Sequence, residues 1–310
     1  MPSSALFVIA CLIWGSTFYA ITLQLGEIAP VVSVVYRFAL ASAVLFAWCL
    51  LRGDKLRLPA KAQGWTILHG CATFGLSYIF TYSSEQYLVS ALVAVLFALM
   101  VFWNPICSRL FFGTPLNLRT YATGSVAVLG VIILFYHSIA ASLQDIMSGG
   151  TGHFLLGLGL ALMATIFSTV GNTLAVKVRK YTPNVLLVMA WGMLWGTLTA
   201  AGWAALSGAS FVVPTAPKYW AGLLYLSLFG SVIAFACYFT LIHRLGTQKA
   251  VYIGVVTPVI SVLLSIRLEN FRPGALEWLG MGTCLASVAW ALRTPSAPAA
   301  NPTLSLKKAS

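Results

Sequence analysis

Apolar runs of about twenty residues follow one another from Ala5 to Leu292, each long enough to cross a ~30 Å hydrocarbon core as a helix. Their bounds are 5–24, 30–51, 64–84, 88–111, 119–137, 153–176, 184–206, 219–241, 248–267 and 274–292. The gaps between them are short and carry turn and breaker residues: Glu27-Ile28-Ala29-Pro30, Gly113-Thr114-Pro115, Gly149-Gly150, Thr182-Pro183 and Arg272-Pro273-Gly274. No soluble domain is inserted. The pattern predicts an all-α polytopic membrane protein of ten transmembrane helices.

The longest gap, Ser138 to Gly152, divides the ten runs into five and five. The halves are faintly similar. Phe80-Thr81 followed by Ala91 recurs as Phe239-Thr240 followed by Ala250, the fourth run carries Pro105 and the ninth Pro258, and Gly124 and Gly130 are echoed by Gly280 and Ala286. Five is odd, so the second half enters the membrane upside down. The expected organisation is two inverted five-helix repeats, 1–140 and 151–293, and a disordered tail, 294–310, rich in Pro, Ala and Ser. Inverted repeats are a layout of secondary transporters, with substrate held between the halves near mid-membrane.

Charge fixes the expected orientation. Dealing the gaps alternately to two sides gives one of them fourteen of the eighteen Lys and Arg: Arg52, Lys55, Arg57, Lys61, Arg109, Arg119, Lys177, Arg179, Lys180, Arg244, Lys249, Arg293, Lys307 and Lys308. The other side receives Lys218, Arg267 and Arg272, and Arg37 lies within a run. Five of the six acids (Glu27, Glu85, Asp145, Glu269, Glu277) go to the poorly basic side, leaving Asp54 on the basic one. Cytoplasmic loops carry the excess of Lys and Arg, so both termini are expected in the cytoplasm of a bacterial inner (plasma) membrane protein. The first run lacks a basic n-region, and removing it would invert every later loop, so it reads as a span rather than a signal peptide.

Composition agrees. The chain is 60% hydrophobic and 8% charged, too apolar for a soluble domain of 310 residues. The net charge of +12 follows from the loop bias, and no basic stretch carries the interleaved aromatics of a nucleic-acid surface. All six cysteines (Cys11, Cys49, Cys71, Cys107, Cys237, Cys284) fall in apolar runs without a CxxC pair, which gives no reason to expect disulfides or a metal. No cofactor is expected.

Trp14-Gly15-Ser16-Thr17-Phe18-Tyr19-Ala20-Ile21-Thr22 of the first run resembles the opening motif of the drug/metabolite transporter (DMT) superfamily, in its ten-span EamA-type branch. The resemblance continues through Tyr36-Arg37-Phe38, Thr257-Pro258, Leu268-Glu269 and Glu277-Trp278-Leu279-Gly280 and covers nearly the whole chain. Two departures stand out: Gly113-Thr114 where such sequences usually show Gly-Glu, and a displaced Pro105. Within the branch the aromatic inventory is similar to amino-acid exporters of the YddG type. The resemblance implies a central cavity and export of small organic metabolites.

The residues that would carry transport are the polar and aromatic ones at depth. Arg37 lies roughly 10 Å along its span, seven residues at ~1.5 Å each, where an Arg costs about 2.5–3.5 kcal/mol on insertion scales. Two roles are open to it: attracting a substrate carboxylate or gating the outer mouth, or bonding structurally to helix-end carbonyls, Glu27 or Glu85. Tyr78 and Tyr82 share a helical face with Phe74 and Glu85 and combine apolar rings with hydroxyls, suited to an amphipathic small molecule. Trp103 and Asn104 precede Pro105, whose missing N–H frees a carbonyl a turn earlier; Trp103 also fits an interfacial anchor. Thr165, Ser168, Thr169 and Asn172 form a polar stripe, of which Asn172 is the binding candidate and the others suit helix packing. Trp14, Ser16 and Thr17 sit near the midplane, and Tyr252 and Ser261 flank Pro258, either lining or packing. Pro105 and Pro258 are the expected hinges. Trp191 and Trp195 suit packing.

The absences matter too. No acid lies in the middle of a run, so a carboxylate proton relay like that of the four-span members of the superfamily is unsupported, and His69 and His153 sit at run ends. The expectation is downhill export of amino acids, aromatic or otherwise neutral, by alternating access. Efflux of drugs or organic cations is the alternative, favoured by aromatic rings suited to cation–π contacts and opposed by Arg37. Intramembrane catalysis lacks a nucleophile–base pair or acidic metal cluster, and a channel lacks charged rings or a repeated carbonyl filter. Partners are thus a small-molecule substrate and the lipid bilayer, with monomer and homodimer both open.

Overall fold

The computed structural model describes residues 1–113, 118–148, 152–245 and 253–292, and all the regular structure among them is helical. The first two apolar runs are single helices, α1 (Ser3–Thr22) and α2 (Pro30–Leu51). The third comprises α3 (Ala60–Gly70) and α4 (Ser77–Ser84), joined by a wider π-helical stretch, Cys71–Leu76. The fourth comprises α5 (Ser90–Ala98) and α6 (Met100–Phe112), bent by 42° across Leu99. The fifth is α7 (Leu118–Leu134), which turns 64° into α8 (Tyr136–Met147).

The second half opens with α9 (His153–Val178) and α10 (Val185–Leu206). Its eighth run is α11 (Pro217–Leu224), a second π-helical stretch Tyr225–Ile233, and α12 (Ala234–Leu245). The last two runs are α13 (Ile253–Leu268) and α14 (Ala275–Leu292). A helix lies on each of the ten runs. Among the described residues, five helical stretches, the continuous Pro217–Leu241 included, are long and apolar enough to cross a membrane, or up to seven when each bent pair is taken as one span.

Local chemistry sets the ends. Pro30 and Pro217 open α2 and α11, where a fixed φ suits the first turn and the missing N–H costs no hydrogen bond. Asn184 caps α10 by accepting from the Leu187 N–H at 3.1 Å. Gly113 closes α6 at φ 68, a left-handed conformation that glycine adopts without penalty.

The predicted loop from Ser138 to Gly152 is largely helix instead, and the 1–140 boundary falls inside it. Ile139, Leu143 and Ile146 recur at helical spacing, and Ile139 packs against the core that includes Leu134 and Phe135. Short and punctuated by polar residues, this helix carries too little hydrophobicity to register as a span. Its return to α9 is fixed by the Asp145 carboxylate, which accepts from the Gly152 N–H at 3.0 Å.

Two extensive pairings, α2 with α10 and α7 with α14, join the halves. Around them the contacts are reciprocal. α9 packs on α3 and α4 while α1 packs on α12, and α10 packs on Cys71–Leu76 while α2 packs on Tyr225–Ile233. The α7–α14 pair approaches closely. A Cβ on Gly280 would lie 2.4 Å from the Leu134 amide nitrogen, and one on Gly130 would lie 2.7 Å from the Cys284 sulfur. These glycines therefore serve packing within the monomer, in the way small residues bring membrane helices together.

The two ends of the bundle differ in charge. At the basic end the Lys177 ammonium sits over Trp65, Phe111 and Phe112, 4.4, 5.5 and 5.6 Å from the ring centres, tying the end of α9 to α3 and α6. Arg244 of α12 donates to the Met1 carbonyl at the same end, at 2.8 Å. The opposite end is held by acids. Glu27 accepts from the Thr215 hydroxyl at 2.8 Å and from the Thr215 and Ala216 amides, clamping the α1–α2 turn to the start of α11.

Candidate functional site

A cavity of about 190 Å³ lies at the centre, walled by α1, α2, the third span, α5, α6, α9, α12 and α13. Of the predicted binding residues it brings together Trp14, Thr17, Arg37, Tyr78, Asn104 and Asn172, and Pro258 also lies on its wall.

Trp14 is held by its own hydrogen bond. The indole N–H donates to the Gly230 carbonyl at 3.2 Å, and the ring packs against Phe235 and Tyr238, with centres 5.1 Å away in each case. The acceptor is in the π-helical stretch of the eighth span, whose wider turn leaves carbonyls without a regular helical partner. Thr17, also on the wall, donates its hydroxyl to the Trp14 carbonyl at 2.8 Å.

Arg37 is only 1% exposed. Its Nε donates to the Ser231 hydroxyl at 3.1 Å and its Nη1 to the Tyr82 hydroxyl at 3.4 Å, while the guanidinium sits 4.7 Å from the Tyr78 ring centre and 5.2 Å from that of Phe38. Aromatic faces and neutral hydroxyls thus replace water around the cation. Neither predicted structural partner, Glu27 nor Glu85, hydrogen-bonds to it. Arg37 is the only charged residue on the described cavity wall, and no carboxylate lines it. The cavity therefore has a positive potential at one point and is otherwise neutral and amphipathic.

Three predicted residues lie off the wall. The Ser16 hydroxyl turns away to Tyr225 Oη at 2.6 Å and to its own helix. Tyr82 is fully buried behind Arg37, donating to Gln24 Oε1 at 2.8 Å, so it supports the site without reaching substrate space. Trp103 donates its indole N–H to Thr165 Oγ1 at 3.1 Å and braces α6 against α9. Tyr252 lies outside the described residues. The hinge expectation also shifts. The fourth span bends at Leu99 rather than at Pro105, and α13 runs through Pro258 without interruption.

Several wall residues escaped the sequence: Phe18, Thr73, Thr81, Phe97, Phe235 and Tyr238. Phe18 and Phe97 meet edge to face, 5.5 Å between centres. Ser168, expected to serve packing, also lines the wall, while Thr165 and Thr169 bond carbonyls of their own helix at 2.7 and 2.8 Å. Trp191 packs on Phe46 at 5.2 Å and donates to the Leu56 carbonyl at 2.8 Å, as a core tryptophan does.

The bend at Leu99 divides the contacts of the fourth span. α5 packs against α1 and α13, whereas α6 continues onto α9 and α7. Asn104 of α6 and Asn172 of α9 stand together on this part of the wall. At the acidic end α5 and α13 are stitched together: Ser90 Oγ and Ser265 Oγ lie 3.0 Å apart and both hydroxyls donate to the Glu269 carboxylate.

The EamA-like transporter family model matches the chain twice, over residues 1–136 and 155–293. The uncharacterized inner membrane transporter YedA of Escherichia coli strain K12 is 28% identical over 278 residues, covering 89% of this chain and 86% of that protein. An uncharacterized transporter of Archaeoglobus fulgidus is 26% identical across 91% of this chain and 94% of its own. Protein PagO of Salmonella typhimurium is 25% identical across 84% and 83%. One solved crystal structure superposes with a TM-score of 0.64 at 18% identity, covering 93% of this chain and 96% of that one, a likeness of fold. With its helical bundle, central cavity and family matches over both halves, the chain belongs to the EamA-like transporter family of the drug/metabolite transporter superfamily.

Proposed function

We propose that this transporter exports small carboxylate-bearing metabolites, amino acids with neutral apolar or aromatic side chains foremost, across a bacterial inner membrane by alternating access. The observation that carries the reading is the cavity's chemistry. One buried cation, Arg37, faces a space lined by Trp14, Tyr78, Phe235 and Tyr238 with the amides of Asn104 and Asn172, and no acid. A carboxylate is attracted to that charge, an apolar side chain is matched by the rings, and an organic cation is repelled. The names of relatives such as YedA supply the inner-membrane setting.

The protein is read as ten spans in two inverted repeats, with the basic end and both termini in the cytoplasm. Two family matches, one per half, support the repeat, as do the reciprocal helix contacts. Shifting the first half by the interval from Phe80 to Phe239 lays Cys71–Leu76 on positions 230–235, overlapping Tyr225–Ile233. The same shift lays Leu99, where the fourth span bends, on Pro258. In this reading the outward state opens between α5 and α13, which are joined at the acidic end through Ser90, Ser265 and Glu269. The reading is of downhill transport, and among the described residues no carboxylate lines the cavity to exchange a proton for substrate.

Organic-cation efflux is the second reading, favoured by the density of rings on the wall. Counterflow in proteoliposomes separates the two. Saturable exchange of labelled neutral amino acids, abolished in Arg37→Gln, supports carboxylate export. Uptake of a quaternary ammonium probe that is unchanged or increased in the same variant supports the cation.

A further inference from the structure

At the end of α4, outside the cavity, Glu85 is buried to 6% exposure, and neither oxygen of its carboxyl group has a hydrogen-bond partner. It faces Arg37 from α2, Tyr82 from its own helix and Glu269 from the end of α13. None of them hydrogen-bonds to it, and of the three only Arg37 favours its ionised form. Arg37 donates to Ser231 and Tyr82 instead, and Tyr82 gives its proton to Gln24. Glu269 carries a like charge and already holds the donors of the neighbourhood: the Ser90 and Ser265 hydroxyls and the Ser90 N–H at 3.4 Å. A carboxylate stripped of water, without a donor and beside a second carboxylate keeps its proton.

We propose that Glu85 is a proton-binding site that latches the acidic end of the bundle: with the proton bound, α4, α5 and α13 close over it, and with the proton lost the buried charge draws in water and parts them. The reading adds regulation to the transporter proposed above. The proton comes from the solvent at that end and returns to it on opening, so none crosses the membrane with substrate and transport remains downhill. Burial, with Glu269 adding and Arg37 opposing, holds the Glu85 carboxyl well above the usual carboxylate range in the closed form. Once the end is open and wet the group returns toward its ordinary value. Closure is thus favoured at low pH and lost as the pH rises through the raised value, the sign expected when the closed state binds the extra proton.

The test reads the distance across the latch and needs no substrate. Nitroxide labels at Gln86→Cys and Leu268→Cys, both exposed, are introduced with the native cysteines replaced, and electron–electron distances are recorded in liposomes from pH 4.5 to 9. The expected parent shows a short-distance population giving way to a longer one as the pH rises. Glu85→Gln, a permanent mimic of the protonated form, keeps the short distance throughout. Glu269→Gln, which removes the like charge, moves the transition to lower pH. A parent distribution that does not change with pH overturns the proposal. So does a Glu85→Gln protein that titrates like the parent, or an unmoved transition in Glu269→Gln should Glu85→Gln not fold. Loss of amino-acid flux with a normal distance titration would count against the substrate reading and leave the latch standing.

Discussion

The Arg37 guanidinium carbon lies 4.7 Å from the centre of the Tyr78 ring, and both residues face the central cavity. The cation is thus held by ring faces and by the hydroxyls of Ser231 and Tyr82, in a planar fork that an ammonium cannot copy. Arg37→Lys is expected to lose about 1–3 kcal/mol of stability, the cost of leaving buried hydroxyls unpaired. Tyr78→Phe keeps the ring and is expected to stay within about 0.5 kcal/mol of the parent. Thermal unfolding in detergent compares them.

Wall and support residues should separate in transport assays. Asn104 and Asn172 face the cavity, and Asn104→Ala or Asn172→Ala should weaken substrate affinity by about 1–2 kcal/mol per lost hydrogen bond, roughly 5- to 30-fold in Kd. Ser16→Ala and Trp103→Phe remove polar groups that bond Tyr225 and Thr165 off the wall. They should lower stability with Kd changed less than about 2-fold. Binding isotherms on the purified variants, with unfolding curves alongside, read both quantities.

The crossing of the third span with α9 depends on a glycine. A Cβ on Gly171 would lie 1.8 Å from Thr73 Oγ1, in the π-helical stretch, and the Gly171 carbonyl pairs with the His69 ring at 2.9 Å. Gly171→Ala should cost about 1–3 kcal/mol, as overpacking of a close interface does. Adding Thr73→Ala should recover part of that loss. A double-mutant cycle on melting temperatures measures the coupling.

Glu27 gives a pH signature at the opposite end. The Thr215 amide and hydroxyl and the Ala216 amide hydrogen-bond to its carboxylate, and Lys218 is near, which together lower its pKa below the ordinary value. A depressed carboxylate contributes order above its unfolded pKa and loses it as pH falls through the folded one. Hydrogen exchange at Thr215 and Ala216 should therefore stay slow down to the ordinary carboxylate range and accelerate only below it. Glu27→Gln should show the fast rates at every pH.

The spans were legible because membrane burial demands long uninterrupted apolarity, which one sequence displays. Asn104, Asn172, Trp14 and Arg37 were legible for the same reason: polar or charged groups at depth need a partner or water. The π-helical turns were not. Cys71–Leu76 and Tyr225–Ile233 read as ordinary apolar helix, and the extra residue per turn that directs Thr73 to the wall and offers Gly230 to Trp14 leaves no periodic trace. Phe235 and Tyr238 were hidden because an aromatic in an apolar span looks alike facing lipid or a cavity. Pro105 was legible as a perturbation, yet the bend's place at Leu99 follows from how α5 packs on α1 and α13. Glu85 was legible as sharing a face with Tyr78 and Tyr82 and as a candidate partner of Arg37, whereas its burial without a hydrogen-bond partner needed tertiary contacts.

The central claim is that Arg37 makes this cavity a carboxylate site. It is tested most directly by efflux from proteoliposomes loaded with a panel of labelled amino acids, with Tyr78→Ala and Arg37→Gln beside the parent. Saturable efflux of neutral amino acids, lost in both variants while amines lacking the carboxylate stay inside, is the predicted result. Parent vesicles that retain the amino acids and release an organic cation, with Arg37→Gln no slower, would contradict it.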